Sequence, residues 1–157
     1  MQVNVFAKTP VPHDSTKLIC IGQTGQGQLG INGFGDYDSV MEQPIEICFK
    51  LRVKQIACGY EHTHLLTVEG ALYSMGSNQY GQLGIGLSPT QIQYTHQPSL
   101  LKNHLFKKVQ CGTYHSVALD QYNSVFVWGK DDSGAIGPMA KPRYVPRELL
   151  CMRDSRI

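Results

Sequence analysis

The sequence predicts an all-β protein made of repeated antiparallel sheets. Three observations predict this fold class. A glycine-rich turn occurs three times at nearly constant spacing, and a block containing Cys-Gly and a following His occurs twice in the same register. The segments between them are short and rich in β-branched and aromatic residues, and no window shows sustained helical periodicity. A self-similarity of this length is typical of a repeat architecture.

The turn block occupies residues 22–30 and recurs at residues 76–84 and, in a degraded form, at 129–137. Its first glycines are Gly22, Gly76 and Gly129, so that the spacing is 54 and then 53 positions. The first two copies end in Gly-Gln-Leu-Gly, whereas the third reads Ala135-Ile136 in place of Gln-Leu. The turn is therefore a structural unit of the repeat.

The second block occupies residues 57–66 and aligns with residues 110–119, so that His62 and His115 lie 53 positions apart. Each unit is predicted to have a strand that ends at Cys-Gly, a second strand that starts at the His, and a third at residues 71–75 or 124–128. Gly70 and Asn123 stand between the second and third strands, where a tight hairpin needs a positive φ.

After each turn block comes a variable stretch that ends near a proline. A repeated sheet of three or four strands in about 50 residues is the unit of a β-propeller blade. The segment Leu18–Ile21 corresponds to a third strand without the first two strands of its blade, and residues 3–6 could supply one of them. The prolines near the ends of the three variable stretches are Pro44, Pro98 and Pro146.

The two blocks resemble the repeats of the regulator of chromosome condensation family, over residues 17–150. The predicted organisation is a leader at 1–16, repeats at 17–53, 54–107 and 108–150, and a tail at 151–157. The resemblance implies an incomplete β-propeller arc of about two to three blades of antiparallel strands, whereas family members usually close a ring of seven. We therefore expect a fragment or truncated product, or an arc that self-associates or whose ring another chain completes.

The composition and charge of the chain argue against a nucleic-acid partner. The formal net charge is +2 and charged residues make up 17% of the chain, without a basic cluster, so nucleic acid is not an expected partner.

No signal peptide or membrane-length apolar run is visible. Cys58 and Cys111 occupy the same repeat position, where we expect cysteine to fill a small buried site as a compact apolar residue. The cysteines number five, which is odd, and a disulfide framework is not expected. A cytoplasmic protein is expected, with the nucleus as the alternative.

Two motifs are weighed as cofactor or metal sites, and neither is expected to be one. Residues 25–30 match a dinucleotide fingerprint, but the turn-rich residues 31–36 that follow are unsuited to the helix this site needs. His62 and His64 place two imidazoles on one face of a strand, but we expect no nearby cysteine or carboxylate to complete a tetrahedral set. No catalytic residue is expected, because His62 and His115 are repeat-equivalent, as scaffold residues are.

The loops before the second strands are the predicted surface for a protein partner. The leading hypothesis is a non-catalytic protein-interaction module, and the candidate residues are Tyr60, Glu61, His62, Thr113, Tyr114 and His115. The resemblance also implies an alternative, which is a guanine-nucleotide exchange factor for a small Ras-like GTPase, or a fragment of one. In the family member that acts on the Ran GTPase, acidic and His residues of these loops resemble Glu61, His62 and His115.

Overall fold

The computed structural model describes residues 5–9, 15–31, 40–90, 94–101, 104–131, 134 and 143–149. This part of the chain contains eleven strands and no helix, and therefore nothing helical that is long and apolar enough to cross a bilayer. The strands are β1 Val5–Thr9, β2 Thr16–Gln23, β3 Val40–Phe49, β4 Val53–Cys58, β5 His62–Thr67, β6 Leu72–Ser77, β7 Tyr94–Leu100, β8 Phe106–Cys111, β9 His115–Asp120, β10 Val125–Gly129 and β11 Arg143–Glu148.

The strands form three antiparallel sheets in which neighbours along the chain are neighbours in space. Blade 1 contains β1–β3, blade 2 contains β4–β7 and blade 3 contains β8–β11. The prediction of an all-β arc of two to three blades is confirmed. The hairpin prediction is confirmed as well, because Gly70 and Asn123 have φ values of +90° and +67°. The domain boundaries given above stay a prediction.

Blade 1 differs from the other two blades. Its strand β1 pairs antiparallel with β2, from Val5 opposite Ile21 to Thr9 opposite Lys17. It therefore stands where the second strand of a blade stands, as the sequence suggested for residues 3–6, of which residues 3 and 4 lie outside the described part. Within the described ranges no strand pairs with the other edge of β1, so this sheet has three strands where the other two have four.

The variable stretches supply the outermost strand of each blade. All three outermost strands carry a register shift, where three of their residues lie opposite a single residue of the inner neighbour. A proline is the last of these three residues in every case. Because proline lacks an N–H, it fits a bulge on an edge strand and not a regular ladder. The prolines that the sequence placed near the end of the stretch therefore lie inside the last strand of each blade, at Pro44, Pro98 and Pro146.

The apolar core lies between the blades and not within any one of them. Every residue of β5 is buried, because blade 2 has a neighbour on both faces. Successive side chains on a strand point to opposite faces, so Leu65 packs towards blade 1 and Leu66 towards blade 3. The cluster shared with blade 1 contains Leu18, Cys20, Leu29, Val53, Leu65 and Met75. The cluster shared with blade 3 contains Ala57, Leu66, Leu72, Leu101, Phe106, Val109, Ala118, Phe126 and Trp128.

Candidate functional site

Each Gly-Gln-Leu-Gly turn is closed by its own glutamine side chain. The Gln28 Oε1 accepts from the backbone N–H of Gln26 at 2.9 Å, and the Gln82 Oε1 accepts from that of Tyr80 at 2.8 Å. The glutamines are buried, so this bond also satisfies a polar group that would otherwise be costly to bury. The turn is thereby held in one shape, and its backbone carbonyl is available to the next blade.

A hydroxyl from the next blade donates to that carbonyl in both complete copies of the turn. Thr63 Oγ1 donates to the Gln28 carbonyl at 2.8 Å, and the repeat-equivalent Ser116 Oγ donates to the Gln82 carbonyl at 3.2 Å. The Trp128 indole N–H donates to the same Gln82 carbonyl at 2.9 Å. These bonds fasten blade 2 to blade 1 and blade 3 to blade 2 at equivalent places.

Ser116 is also the centre of a buried polar cluster between blades 2 and 3. Its Oγ lies 3.0 Å from His62 Nε2 and 2.8 Å from His64 Nε2, and both imidazoles are fully buried. The prediction that the two imidazoles share one face of their strand is confirmed. With its one proton donated to the Gln82 carbonyl, the Ser116 oxygen can accept from an Nε2–H of either imidazole.

Burial keeps the two histidines neutral. It lowers the pKa of His62 well below its ordinary value, and the nearby His64 and His115 lower it further. Burial also lowers the pKa of His64 to about 4, although the carbonyls of Tyr73 and Gln82 oppose the shift. Both imidazoles are therefore uncharged at neutral pH, and this part of the interface functions as a neutral hydrogen-bonded cluster.

Cys111 lies next to the histidine pair, so the expectation that no cysteine is nearby was wrong. His62, His64 and Cys111 each offer a ligand atom, and these atoms lie within 4.8 Å of one another. Sequence reasoning missed Cys111 because it belongs to the neighbouring blade. A metal ion needs the thiolate form of cysteine, and burial raises the pKa of Cys111. The three residues are therefore a candidate site for a soft ion, which would require Cys111 to lose its proton.

The remaining cysteines and the fingerprint add no second cluster within the described ranges. Cys20, Cys48, Cys58 and Cys111 are all thiols, and burial raises the pKa of Cys58 to about 11. Cys151 lies outside the described residues. The glycines of the dinucleotide fingerprint lie in the turn of residues 24–30, and residues 32–39, where its helix would begin, are not described.

The two loops that carry the predicted partner-binding residues lie side by side. The backbone N–H of Tyr60 donates to the Thr113 carbonyl at 3.1 Å, which joins the loop of blade 2 to that of blade 3. Tyr60 and Thr113 are exposed, and Glu61 and Tyr114 are half-buried beside them. His62, in contrast, is fully buried against Ser116, so its side chain is not on this surface.

His115 is half-buried and packs against the backbone of Gly112, where there is no room for a side chain on the glycine. Gly59 has the same relation to His62. The two repeated histidines therefore pack on the glycine that precedes them by three positions, which explains the shared spacing of glycine and histidine in both blocks.

Three tyrosines and a lysine converge on this loop face, and we refer to them as the tyrosine cluster. The rings of Tyr60 and Tyr114 meet edge to face with centroids 5.6 Å apart, and the Tyr80 and Tyr114 centroids are 5.2 Å apart. The Lys130 Nζ lies 4.7 Å from the Tyr80 ring centroid and 5.3 Å from that of Tyr114. An ammonium over two ring faces is a cation–π arrangement.

Glu61 lies close enough to influence the cluster electrically. Burial raises the pKa of Tyr114, the Glu61 carboxylate and the other two tyrosines raise it further, and Lys130 opposes them. Burial also raises the pKa of Glu61. The loop face therefore combines aromatic rings, one carboxylate and one ammonium in a small area.

The first glycine of each turn block holds these loops in place. The N–H of Ser77 donates to the Glu61 carbonyl at 2.8 Å, and the N–H of Lys130 donates to the Tyr114 carbonyl at 2.9 Å. Gly76 and Gly129, which precede these donors, have φ values of +105° and +103°, and a Cβ at either would collide with the same carbonyl. The repeated glycine thus lets the turn pass directly beneath the loop.

Tyr80 and Lys130 are site residues that sequence reasoning missed. A signal for both was present, because each departs from its repeat equivalents. Tyr80 aligns with Gln26 and Ser133, and Lys130 aligns with Gln23 and Ser77. Their convergence with Tyr114 could not be read from the sequence, because it depends on how closely blade 3 packs against the turn of blade 2.

Comparison with known proteins identifies relatives of most of the chain. The model of the Regulator of chromosome condensation (RCC1) repeat matches residues 17–66 and 69–119, and a second model of the same description matches 53–82 and 106–135. The chain is 31% identical over 128 residues to the ultraviolet-B receptor UVR8 of Arabidopsis thaliana, covering 78% of this chain and 27% of the receptor. It is 35% identical over 111 residues to the probable E3 ubiquitin-protein ligase HERC4 of Homo sapiens, covering 68% and 10%. The chain thus spans about a quarter or less of these relatives.

Solved structures show the same fold. Prp20p from Saccharomyces cerevisiae, in a structure that addresses its binding to Gsp1p and histones, superposes with a TM-score of 0.79 at 23% identity. This match covers 96% of this chain and 39% of that one. Human WBSCR16 superposes with a TM-score of 0.69 at 24% identity, covering 87% and 37%.

The buried histidines predict that acid destabilises the fold. In the unfolded chain each histidine binds a proton as the pH falls below about 6.5, whereas the buried imidazoles resist protonation down to lower pH. The unfolded state then binds more protons, so the free energy of unfolding should fall by about 1 kcal/mol per buried histidine between pH 7.5 and 5.5.

Urea unfolding at the two pH values measures this loss, and His64→Val is the matched variant, because Val117 is the residue at the equivalent position of blade 3. The variant should lose less stability on acidification than the wild type. An equal loss in both proteins would contradict the assignment of His64 as a buried neutral group.

Proposed function

Because the chain belongs to the regulator of chromosome condensation repeat family, we propose that it is a protein-interaction module that presents its tyrosine cluster and Glu61 to a partner protein. The proposal assigns binding to this face and no catalysis. The partners and activities of the longer relatives are not carried over, since this chain corresponds to a minor part of each.

The observation that carries the proposal is the convergence of residues from non-equivalent repeat positions. A scaffold residue recurs at the equivalent position of other repeats, as the first turn glycine does in all three copies and as His62 does at His115. The four members of the tyrosine cluster do not recur at their equivalent positions. The repeat fold therefore does not require them. Their counterparts are Thr113 for Tyr60, Glu61 for Tyr114, Gln26 and Ser133 for Tyr80, and Gln23 and Ser77 for Lys130.

The physical character of the face supports binding. Tyrosine offers a large amphipathic contact area with little side-chain entropy to lose, and it is enriched among the residues that contribute most to binding energy. Tyr60 is 40% exposed and the other rings are half-buried, so the rings are accessible and also fixed by their neighbours. The loops stand on backbone bonds to both blades, which reduces the ordering cost of association.

A second candidate function is guanine-nucleotide exchange on a small Ras-like GTPase, by a loop that displaces the nucleotide's phosphate and base contacts. The position of Glu61 on the loop face favours it, and the burial of His62 opposes a direct role for that residue. Accelerated release of a fluorescent guanine nucleotide from any member of a GTPase panel would support it. Spontaneous release rates throughout the panel would remove it.

Replacing Glu61 and Tyr114 together should remove the centre of the proposed interface. We expect Glu61→Gln/Tyr114→Ala to weaken partner binding by about tenfold or more, because tyrosine at the centre of an interface typically contributes at least 1–2 kcal/mol. The measurement is quantitative capture from a cell extract followed by titration of the captured protein.

Tyr122→Ala is the matched control, because Tyr122 is 78% exposed and lies in the β9–β10 turn, at the opposite end of β9 from Tyr114. The control should bind as the wild type does. If the double variant keeps wild-type affinity while its circular dichroism is unchanged, the partner-binding assignment of this face is wrong.

A further inference from the structure

We propose that the tyrosine cluster is a binding site for an ammonium group, and that Lys130 occupies it internally until a partner's lysine side chain, methylated or not, displaces it. This inference rests on the proposed function and adds the chemical class of the partner group. The surroundings of Lys130 support it by their geometry, their charge and the ease with which the ammonium can exchange.

The first step is the geometry. The rings of Tyr80 and Tyr114 lie at an interplanar angle of 58°, and the Lys130 ammonium stands over both of them. The Lys130 Nζ lies within 4.7 and 5.3 Å of the two ring centroids. Both distances fall inside the range of about 6 Å over which a ring face attracts a cation. Tyr60 and Tyr114 meet edge to face and Tyr60 is exposed, so the aromatic surface reaches solvent.

The second step is the charge around the site. Glu61 is the carboxylate that acts on the Tyr114 phenol, and an acidic group beside aromatic walls favours a cationic occupant over an anionic one. The Lys130 ammonium is the cation that lies over the two rings in this structure. The rings are therefore complementary to an ammonium group, and the negative charge of Glu61, which acts on Tyr114, adds to the attraction.

The third step is the ease of exchange. Lys130 is attached through its backbone, whose N–H donates to the Tyr114 carbonyl, while its ammonium stands at the end of a flexible stem. The contacts of its ammonium with the two rings are cation–π contacts, which are individually weak. An incoming ammonium can therefore replace that of Lys130 at the two rings without any change in the backbone.

The test uses the full chain and two isosteric probes, choline and 3,3-dimethylbutan-1-ol, which differ in the positive charge. Binding is followed by the NMR shifts of the tyrosine ring protons. Choline should shift the resonances of Tyr80 and Tyr114, and the neutral alcohol should bind several-fold more weakly. Lys130→Met, which keeps a flexible unbranched side chain of similar length and removes its charge, should bind choline about three- to fivefold more tightly, because the internal competitor is gone.

Tyr80→Leu and Tyr80→Phe separate the ring from the hydroxyl. Tyr80→Phe should bind choline as the wild type does and Tyr80→Leu should lose most of the binding, while the fluorescence of the buried Trp128 reports that the fold is kept. Equal affinity for the two probes, or choline binding in Lys130→Met no tighter than in the wild type, overturns the inference.

Partner capture distinguishes this inference from the proposed function. If choline does not bind but Glu61→Gln/Tyr114→Ala still loses the partner, the interaction face stands and the ammonium site does not. If Lys130→Met itself loses the partner, then an anionic partner group pairs with Lys130, and the ammonium inference is wrong.

Discussion

The structure depends on one repeated hydrogen bond, in which a hydroxyl of each complete blade donates to the turn carbonyl of the blade before it. Thr63 donates to Gln28, and Ser116 donates to Gln82. The turn carbonyl can receive this bond because its glutamine side chain closes the turn from within. A polar group buried without a partner is costly, so the bond also fixes which blade faces fit together.

This connection between blades is also what creates the loop face. Ser116 and the apolar cluster around Trp128 bring blade 3 against the turn of blade 2. Tyr80 lies on that turn, and Lys130 lies at the end of β10 in blade 3. The tyrosine cluster thus forms at the junction of two blades, and neither blade could form it alone. A substitution in the buried polar cluster would therefore also shift the residues of the tyrosine cluster, because the packing of blade 3 against blade 2 positions both clusters.

Much of the fold could be predicted from the sequence, because the repeat encodes it locally. The hairpin residues Gly70 and Asn123, the strand starting at His62 and the turn glycines all follow from local conformational needs. The last strand of each blade was harder to predict, because each contains a proline and proline argues against a regular strand. The structure accommodates these prolines in bulges. The candidate site was only partly predictable. The sequence singled out Tyr60 and Tyr114 as candidates, but the positions of Tyr80 and Lys130 beside them and the proximity of Cys111 to His64 depend on packing between blades, which no local pattern records.

The most direct test of this account is a double-mutant cycle between Ser116 and His64, measured as free energies of unfolding in urea at pH 7.5. If the serine hydroxyl joins the two blades through the histidine, Ser116→Ala and His64→Val should each destabilise the protein, and the double variant should lose about 1 kcal/mol less than their sum. Strictly additive losses would contradict the account, because they would mean that the two residues stabilise the fold independently.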